Sequence, residues 1–333
     1  MVKAIALLSG GLDSILATRL ILDQGIEVEG VNFLTVFCTC TPYKRTCLAS
    51  KSAANKLGIK LKVFEISKEY IKVVKNPKYG YGRNINPCLD CRIFMFKKAG
   101  EYMRDVGAKF LITGEVLGER PMSQREEAMR IIERDSRLEG LIVRPLSARL
   151  LQPTLPEKEG IVEREKLLDI QGRSRKPQMR LAKDMGISDY PCPAGGCLLA
   201  DPQFAKRMKD LMRYNPDFTL NDIQLLKLGR HFRLSDNAKL VVGRNEEENR
   251  KLMNLVREDD ILFKPQSGKG PVGIGRGDFN QESIFLASQI IARYSDGGLK
   301  SCIEIINKSS PDAKENLVLV CAMEEERLSI LRI

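Results

Sequence analysis

The strongest constraint on the fold lies at the start of the chain. Ala4-Ile5-Ala6-Leu7-Leu8 is an unbroken apolar run, Ser9-Gly10-Gly11-Leu12-Asp13-Ser14 interrupts it, and Leu12–Gln24 goes on with helical periodicity. A short apolar run ended by a glycine turn reads as a buried strand. A buried strand that turns through glycines into a helix opens an α/β sheet whose ligands sit outside the carboxyl ends of its strands. Gly10 and Gly11 allow backbone shapes and approaches that a Cβ would block. The loop N–H groups and the helix N-terminus suit a pyrophosphate. Ser9 and Ser14 add hydroxyls, and Asp13 suits holding magnesium or orienting the loop. The loop is neither GxxxxGK[ST] nor GxGxxG; a tight turn without ligand is the alternative.

The next segments keep alternating. Glu27–Leu34, Lys60–Ile66, Phe110–Thr113 and Leu141–Leu146 read as strands, and Leu48–Leu57, Cys91–Val106 and Gln124–Asp135 as helices. Alternation of this kind predicts an α/β fold with a parallel sheet and crossover helices. Glu159–Gly186 reads as helical and charged. A boundary is expected after Asp201-Pro202, giving units 1–202 and 203–333. The second is expected to start with helices Gln203–Tyr214 and Asn221–Leu228. It then becomes α/β, with strands at Ala238–Val242, Ile261–Lys264, Ser301–Ile306 and Asn316–Ala322. Helices are expected at Glu246–Arg257 and Glu282–Tyr294.

Composition narrows the chemistry. With 333 residues, 43% of them hydrophobic, two or three domains with sizeable cores are expected. The net charge of +11 favours a polyanionic partner, or else a solvated lysine-rich surface. Met1-Val2-Lys3 reads as lacking a secretory signal, and the following apolar stretch is too short to span a membrane, so a cytoplasmic protein with no membrane partner is expected. On that footing the nine cysteines argue against a disulfide framework and for metal or redox chemistry. Cys38, Cys40 and Cys47 form one group, Cys88 and Cys91 a second, and Cys192 and Cys197 a third, with Cys302 and Cys321 apart in apolar runs. The sole histidine, His231, leaves little room for Ser-His-Asp catalysis or an imidazole metal site.

Ser9–Ser14 resembles the SGGxDS signature of PP-loop ATP pyrophosphatases, which split ATP between its α and β phosphates to adenylate a substrate oxygen. Asn86-Pro87-Cys88-Leu89-Asp90-Cys91-Arg92 resembles the mid-domain motif of tRNA 2-thiouridylases. Lys176-Pro177-Gln178-Met179-Arg180 and Gly196-Cys197-Leu198-Leu199 are similar to later segments of that family. Thr113-Gly114-Glu115-Val116-Leu117-Gly118 with Ser123-Gln124 resembles the tRNA 4-thiouridine synthetases.

This resemblance implies ATP and Mg2+ on Ser9, Gly10, Gly11, Leu12, Asp13 and Ser14, with the adenine near the backbone of Asn32 and Phe33. Gly114 and Glu115 follow a later strand and are placed to approach the ATP. Arg120, Arg125 and Arg144 are cations available to phosphates, or solvated arginines. Asp13, Cys91 and Cys197 are the implied catalytic residues. Cys88 favours the iron–sulfur form, with Cys88, Cys91 and Cys197 holding a 4Fe–4S cluster whose open iron presents a sulfide. Two readings compete: a persulfide on Cys91 or Cys197 resolved by the other, and structural zinc with Cys192 as fourth ligand. Cys38, Cys40 and Cys47 are either a second sulfur-handling site or small buried thiols.

Gly243-Arg244-Asn245, with Gly229-Arg230-His231 upstream, resembles the NFACT RNA-binding domain. Gly268-Lys269-Gly270 and Gly273–Arg276 form a basic, Gly-rich segment suited to a phosphate backbone. The implied function is ATP-dependent tRNA thiolation with tRNA and a sulfur donor (sulfide or a persulfide carrier protein) as partners; a homodimer is left open. The alternatives are a PP-loop ligase or small-molecule sulfur transferase acting on a metabolite, and a non-catalytic zinc-containing RNA-binding protein.

Overall fold

The computed structural model describes residues 2–38, 48–188, 190, 197–308 and 315–333. Cys40, Cys47 and Cys192 lie outside them. The chain divides into two compact units, Met1–Asp201 and Pro202–Ile333.

The first unit runs β1 (Lys3–Leu7), α1 (Leu12–Leu22), β2 (Glu27–Leu34), α2 (Leu48–Leu57), β3 (Leu61–Glu65), α3 (Ser67–Lys75), α4 (Cys88–Asp105), β4 (Phe110–Thr113), α5 (Glu126–Ser136), β5 (Ile142–Val143), α6 (Leu155–Lys158) and α7 (Lys176–Asp184). Its sheet has five strands in the order β3-β2-β1-β4-β5, all parallel. The fold is therefore α/β. Alternate residues of β1 and β4 serve opposite faces. Ala4, Ala6, Phe110 and Ile112 pack towards α1 and α7, whereas Ile5 and Leu111 pack towards α4 and α5. The order reverses between β1 and β4, so the ends of these strands flank a crevice of the kind in which open α/β sheets hold ligands.

Several expectations need correction. The helix expected at Cys91 starts at Cys88, putting both thiols in its first turn. Between Glu159 and Gly186 only a 3-10 turn, Arg164–Lys166, and α7 are helical. Gly160 and Gly172, at φ +70° and +84°, break the run between them. β5 is two residues long, since Pro145 has no N–H for a ladder. α3 was not anticipated; its buried Tyr70 and Val74 stand one turn apart in a Lys-rich segment.

The second unit runs α8 (Pro202–Tyr214), α9 (Leu220–Leu226), β6 (Arg230–Arg233), β7 (Ala238–Val242), α10 (Glu246–Met253), β8 (Ile261–Pro265), β9 (Gly273–Gly277), α11 (Gln281–Arg293), β10 (Ile303–Lys308), β11 (Asn316–Val320) and α12 (Glu325–Leu331). Six antiparallel strands follow the order β11-β10-β8-β9-β7-β6. Leu286, Ala287, Ile290 and Ile291 of α11 cover the core of this sheet.

Gly273–Arg276, expected as a phosphate-following segment, is instead the body of β9. A Cβ on Gly275 would lie 2.6 Å from Phe279. Arg276 is bound to Asp222 and Asp260 at 2.9 and 2.7 Å. Cys302 and Cys321, expected to remain thiols, form a disulfide, because they continue the β10–β11 register one pair beyond Ile303 and Val320. No described helix is long and apolar enough to cross a membrane.

Candidate functional site

The Ser9–Ser14 loop is shaped by close backbone approaches. Gly10 has φ +82°, and a Cβ there would stand 2.4 Å from the Ala49 carbonyl carbon. On the other side a Cβ on Gly114 would stand 2.5 Å from the Ser14 nitrogen. The end of β4 thus presses against the first turn of α1. Leu12 is fully buried and anchors that turn in the core. Ser14 Oγ donates to the Gly11 carbonyl at 2.8 Å and lies 3.2 Å from Ser9 Oγ.

A cavity of about 370 Å³ opens over this loop. Ser9, Gly11, Leu12, Asp13, Ser14, Asn32, Phe33 and Gly114 all line it, while Gly10 is packed beneath, against Ala49 and Ser50. Asn32 donates from its side-chain amide to the Leu8 carbonyl at 2.9 Å, tying β2 to β1. Its own side-chain oxygen is buried and unpaired, an acceptor at the cavity. Burial pushes the Asp13 carboxyl up, against the pull of the Arg175 and Arg120 guanidinium groups. Glu119 is raised by burial and by the charge of Asp13. Two carboxylates and two arginines thus share one wall of the cavity, an arrangement able to receive a cation together with phosphates.

Sequence reasoning missed Arg92, Glu119 and Arg175. Arg175 stands directly before the Lys176-Pro177-Gln178 motif, which was the available signal. Of the three arginines that were singled out, Arg120 lines the cavity. Arg125 caps α5. Arg144 is buried and bonded to Glu115 at 3.1 Å and to Glu133, so it is structural rather than a phosphate ligand. Glu115 reaches the cavity, yet its carboxylate is held by Arg144 and by Arg92 at 3.5 Å.

The thiols come together through hydrogen bonds to the backbone between distant segments. Asn84 Nδ2 donates to the Ala200 carbonyl at 2.7 Å and the Ile85 N–H to Leu199 at 3.3 Å, joining the segment before Cys88 to the one after Cys197. The Leu198 N–H donates to Phe37 at 3.2 Å, bringing Cys197 beside Cys38. Asp90 accepts from the N–H groups of Lys78 and Tyr79 at 2.9 and 3.0 Å and fixes the turn that carries Cys88 and Cys91.

Cys38, Cys88, Cys91 and Cys197 are free thiols that interact electrostatically around the buried Tyr70. The Tyr70 hydroxyl abuts Cys91 but completes no hydrogen bond of ordinary geometry. Burial pushes Cys91 up to about 11, with Tyr70 and Arg92 pulling the other way. Burial likewise pushes Cys197 up to about 12. It raises Cys88 too, against Arg92 and Arg120. Cys197 lines the cavity over the Ser9–Ser14 loop; Cys88 and Cys91 are not part of that lining. Among the described residues no three Cys, His, Asp or Glu side chains stand close enough to hold a metal ion. The donors are right in kind for an iron–sulfur cluster: soft sulfurs in a half-buried site, where metal coordination would offset the cost of ionising them.

The family pattern described as Thiamine biosynthesis protein (ThiI) matches residues 1–175, just over half of the chain. The chain belongs to the ThiI family. The matched region of this ThiI-family chain takes in the Ser9–Ser14 loop, Cys88, Cys91 and Arg175. A second pattern, described as NFACT protein RNA binding domain, matches residues 229–330.

Among curated proteins, the tRNA-specific 2-thiouridylase MnmA of Marinobacter nauticus is 27% identical over 229 residues, covering 64% of this chain and 55% of the relative. The chain thus spans about half the length of that relative. Among solved structures, a 4-thiouridine synthetase–RNA complex with bound ATP is 20% identical, covering 56% of this chain and 51% of that one, at a TM-score of 0.35. The U34-tRNA thiolase NcsA from Methanococcus maripaludis with its [4Fe-4S] cluster is 13% identical, covering 68% and 70%, at a TM-score of 0.31. Likenesses of that extent bear on neither activity nor cofactor.

In the second unit, Asn245 caps α10 by accepting from the Glu248 N–H at 2.9 Å, and Arg244 pairs with Glu248. The Gly-Arg-Asn turn therefore has a structural role of its own. His231 is buried, with its ring bonded to the Leu228 carbonyl at 2.7 Å.

Proposed function

We propose that this chain uses ATP to replace a carbonyl oxygen of a uridine in tRNA with sulfur. The observation that carries the reading is that Cys197 lines the same cavity as the Ser9–Ser14 loop, so an adenylating site and a thiol face one space. Membership of the ThiI family and similarity to 2-thiouridylases support it.

In this reading the loop N–H groups and the two serine hydroxyls hold the leaving pyrophosphate. Asp13, with Glu119 beside it, holds Mg2+, and Arg120 and Arg175 neutralise phosphate charge. The adenine rests near Asn32 and Phe33, where the free Asn32 oxygen accepts from its amine. The uridine oxygen attacks the α-phosphorus and pyrophosphate departs; a sulfur nucleophile then attacks the same carbon and AMP departs with the oxygen.

Cys88, Cys91 and Cys197 would hold a 4Fe–4S cluster, which when bound supplies an open iron for sulfide. Tyr70 and the surrounding apolar side chains exclude water from these sulfurs. The first unit carries the chemistry and the second meets RNA. Sulfide or a persulfide carrier is the donor, and a cytoplasmic location follows from the substrate.

The test uses protein purified without oxygen. Iron and labile sulfide are measured, and nucleosides from tRNA incubated with ATP and sulfide are analysed by mass spectrometry. Thiolated uridine in wild type, lost in Cys197→Ser and Asp13→Asn, is expected. Bound iron without any thiolated nucleoside would sink the proposal. ATP turnover stimulated by a metabolite and indifferent to RNA would replace it with a small-molecule ligase or transferase.

A further inference from the structure

The second unit holds an open cavity of about 570 Å³ between the Gly243-Arg244-Asn245 turn and the Gly268-Lys269-Gly270 turn. Arg230 and Lys269 line it, and among the described residues neither makes an ion pair. Arg244 is there too, but Glu248 neutralises it. The Arg230 guanidinium lies 4.4 Å over the Tyr294 ring, and the one side-chain hydrogen bond of Arg230 among the described residues goes to the Gly243 carbonyl at 3.4 Å. The guanidinium and the ring together make a cationic platform on the cavity wall.

The opposite turn is held rigidly. Asn249 accepts from the Val272 N–H at 3.1 Å and donates to the Gly270 carbonyl at 3.4 Å. The Asp296 N–H donates to the Lys269 carbonyl at 2.8 Å. A Cβ on Gly270 would lie 2.6 Å from Ser295 Oγ, so the turn seats there only as glycine. Two carboxylates, Glu246 and Asp296, complete the lining.

We propose that this cavity takes one unpaired nucleotide of an RNA strand, its base stacked on the Arg230–Tyr294 pair and its phosphate on Lys269. The inference rests on the reading that this unit meets RNA, and adds where and in what form. A guanidinium over a ring offers a face on which any base can stack. Free cations suit phosphate, whereas Glu246 and Asp296 accept hydrogen bonds from a base amine or a ribose 2′-hydroxyl. A polyglutamate chain has no planar base to stack on that face. A duplex keeps its bases stacked inside and cannot use the platform.

The test uses the full chain and a labelled single-stranded RNA decamer containing one 2-aminopurine, the same sequence as a duplex, and polyglutamate as competitor. Wild type is expected to prefer the single strand and to change the 2-aminopurine fluorescence. Arg230→Ala should weaken single-strand binding about tenfold and abolish the fluorescence change. Lys269→Gln, an exposed side chain whose loss leaves the fold intact, should lower the salt slope of binding by about one. Arg327→Ala, which removes an equal charge away from the cavity, should do neither. Wild-type binding matched by both cavity variants would overturn this site and leave the RNA reading standing; no RNA binding by wild type would remove both. Displacement of the RNA by equimolar polyglutamate would reassign the cavity to acidic peptides and overturn the proposal.

Discussion

Gly114 has no room for a methyl group. Its Cβ would meet the backbone of Asp13 and Ser14 at 2.5 Å, and backbone cannot swing aside as a side chain can. Gly114→Ala should therefore shift β4 or the loop, at about 1–3 kcal/mol of stability. ATP affinity should fall well beyond what that loss explains; calorimetric titration beside a thermal melt separates the two. Asp135 gives a second residue-scale test. Hydrogen bonds from Lys78, Tyr79 and Arg134, at 2.6, 2.7 and 2.9 Å, hold its carboxyl well below the usual range. A depressed folded pKa stabilises the protein above the unfolded value of 3.8 and loses that contribution as pH falls further. The stability gap between wild type and Asp135→Asn should thus be constant at neutral pH and narrow below pH 3.8. Urea melts across that range would show it, and a gap that widened in acid would contradict it.

At the scale of elements, β9 is the informative case. Its Gly-Ile-Gly-Arg-Gly sequence has low strand propensity and, taken alone, suits a phosphate-following loop. Context overrides propensity here: Gly275 makes space for Phe263 and Phe279, and Arg276 answers the buried Asp222 and Asp260. Arg276→Ala would leave the fully buried Asp260 without its counter-ion, while Asp222 keeps Arg257 at 2.8 Å. It should cost about 3–5 kcal/mol, read as a lower urea midpoint. α4 is the counterpart in the first unit. Its apolar face was legible from spacing, but its start was not, because the Asp90 contacts to Lys78 and Tyr79 that secure the first turn join residues eleven and twelve positions apart.

At the scale of the whole molecule, each unit has its own sheet and core. The second core is assembled from β6, β7, β8, β10, β11, α11 and α12. Residues 202–333 expressed alone should therefore melt cooperatively, with the far-ultraviolet circular dichroism of a folded domain; a gradual, non-cooperative loss of signal would contradict this. The thiol cavity is also a property of the whole first unit. Tyr70→Phe removes a hydroxyl that completes no ordinary hydrogen bond, so stability should stay equal or rise. A fall in sulfur transfer by that variant would then be a functional effect.

Local pattern was enough for the order of strands in the first unit and most of their crossover helices, though not α3, and for its parallel sheet and the Ser9–Ser14 loop at a strand end. These depend on periodicity and glycine chemistry, which neighbouring residues carry. Long-range contact made the rest. Cys197 joins Cys88, Cys91 and Cys38 because Asn84, Ile85 and Leu198 bond across the unit. Arg144 is a buried counter-ion and Arg120 a cavity cation, a distinction that one arginine beside another in sequence does not reveal. Cys302 and Cys321 meet because β10 and β11 pair. Burial, register and charge partnership arise between residues far apart in the chain, so they appear only when the chain is folded.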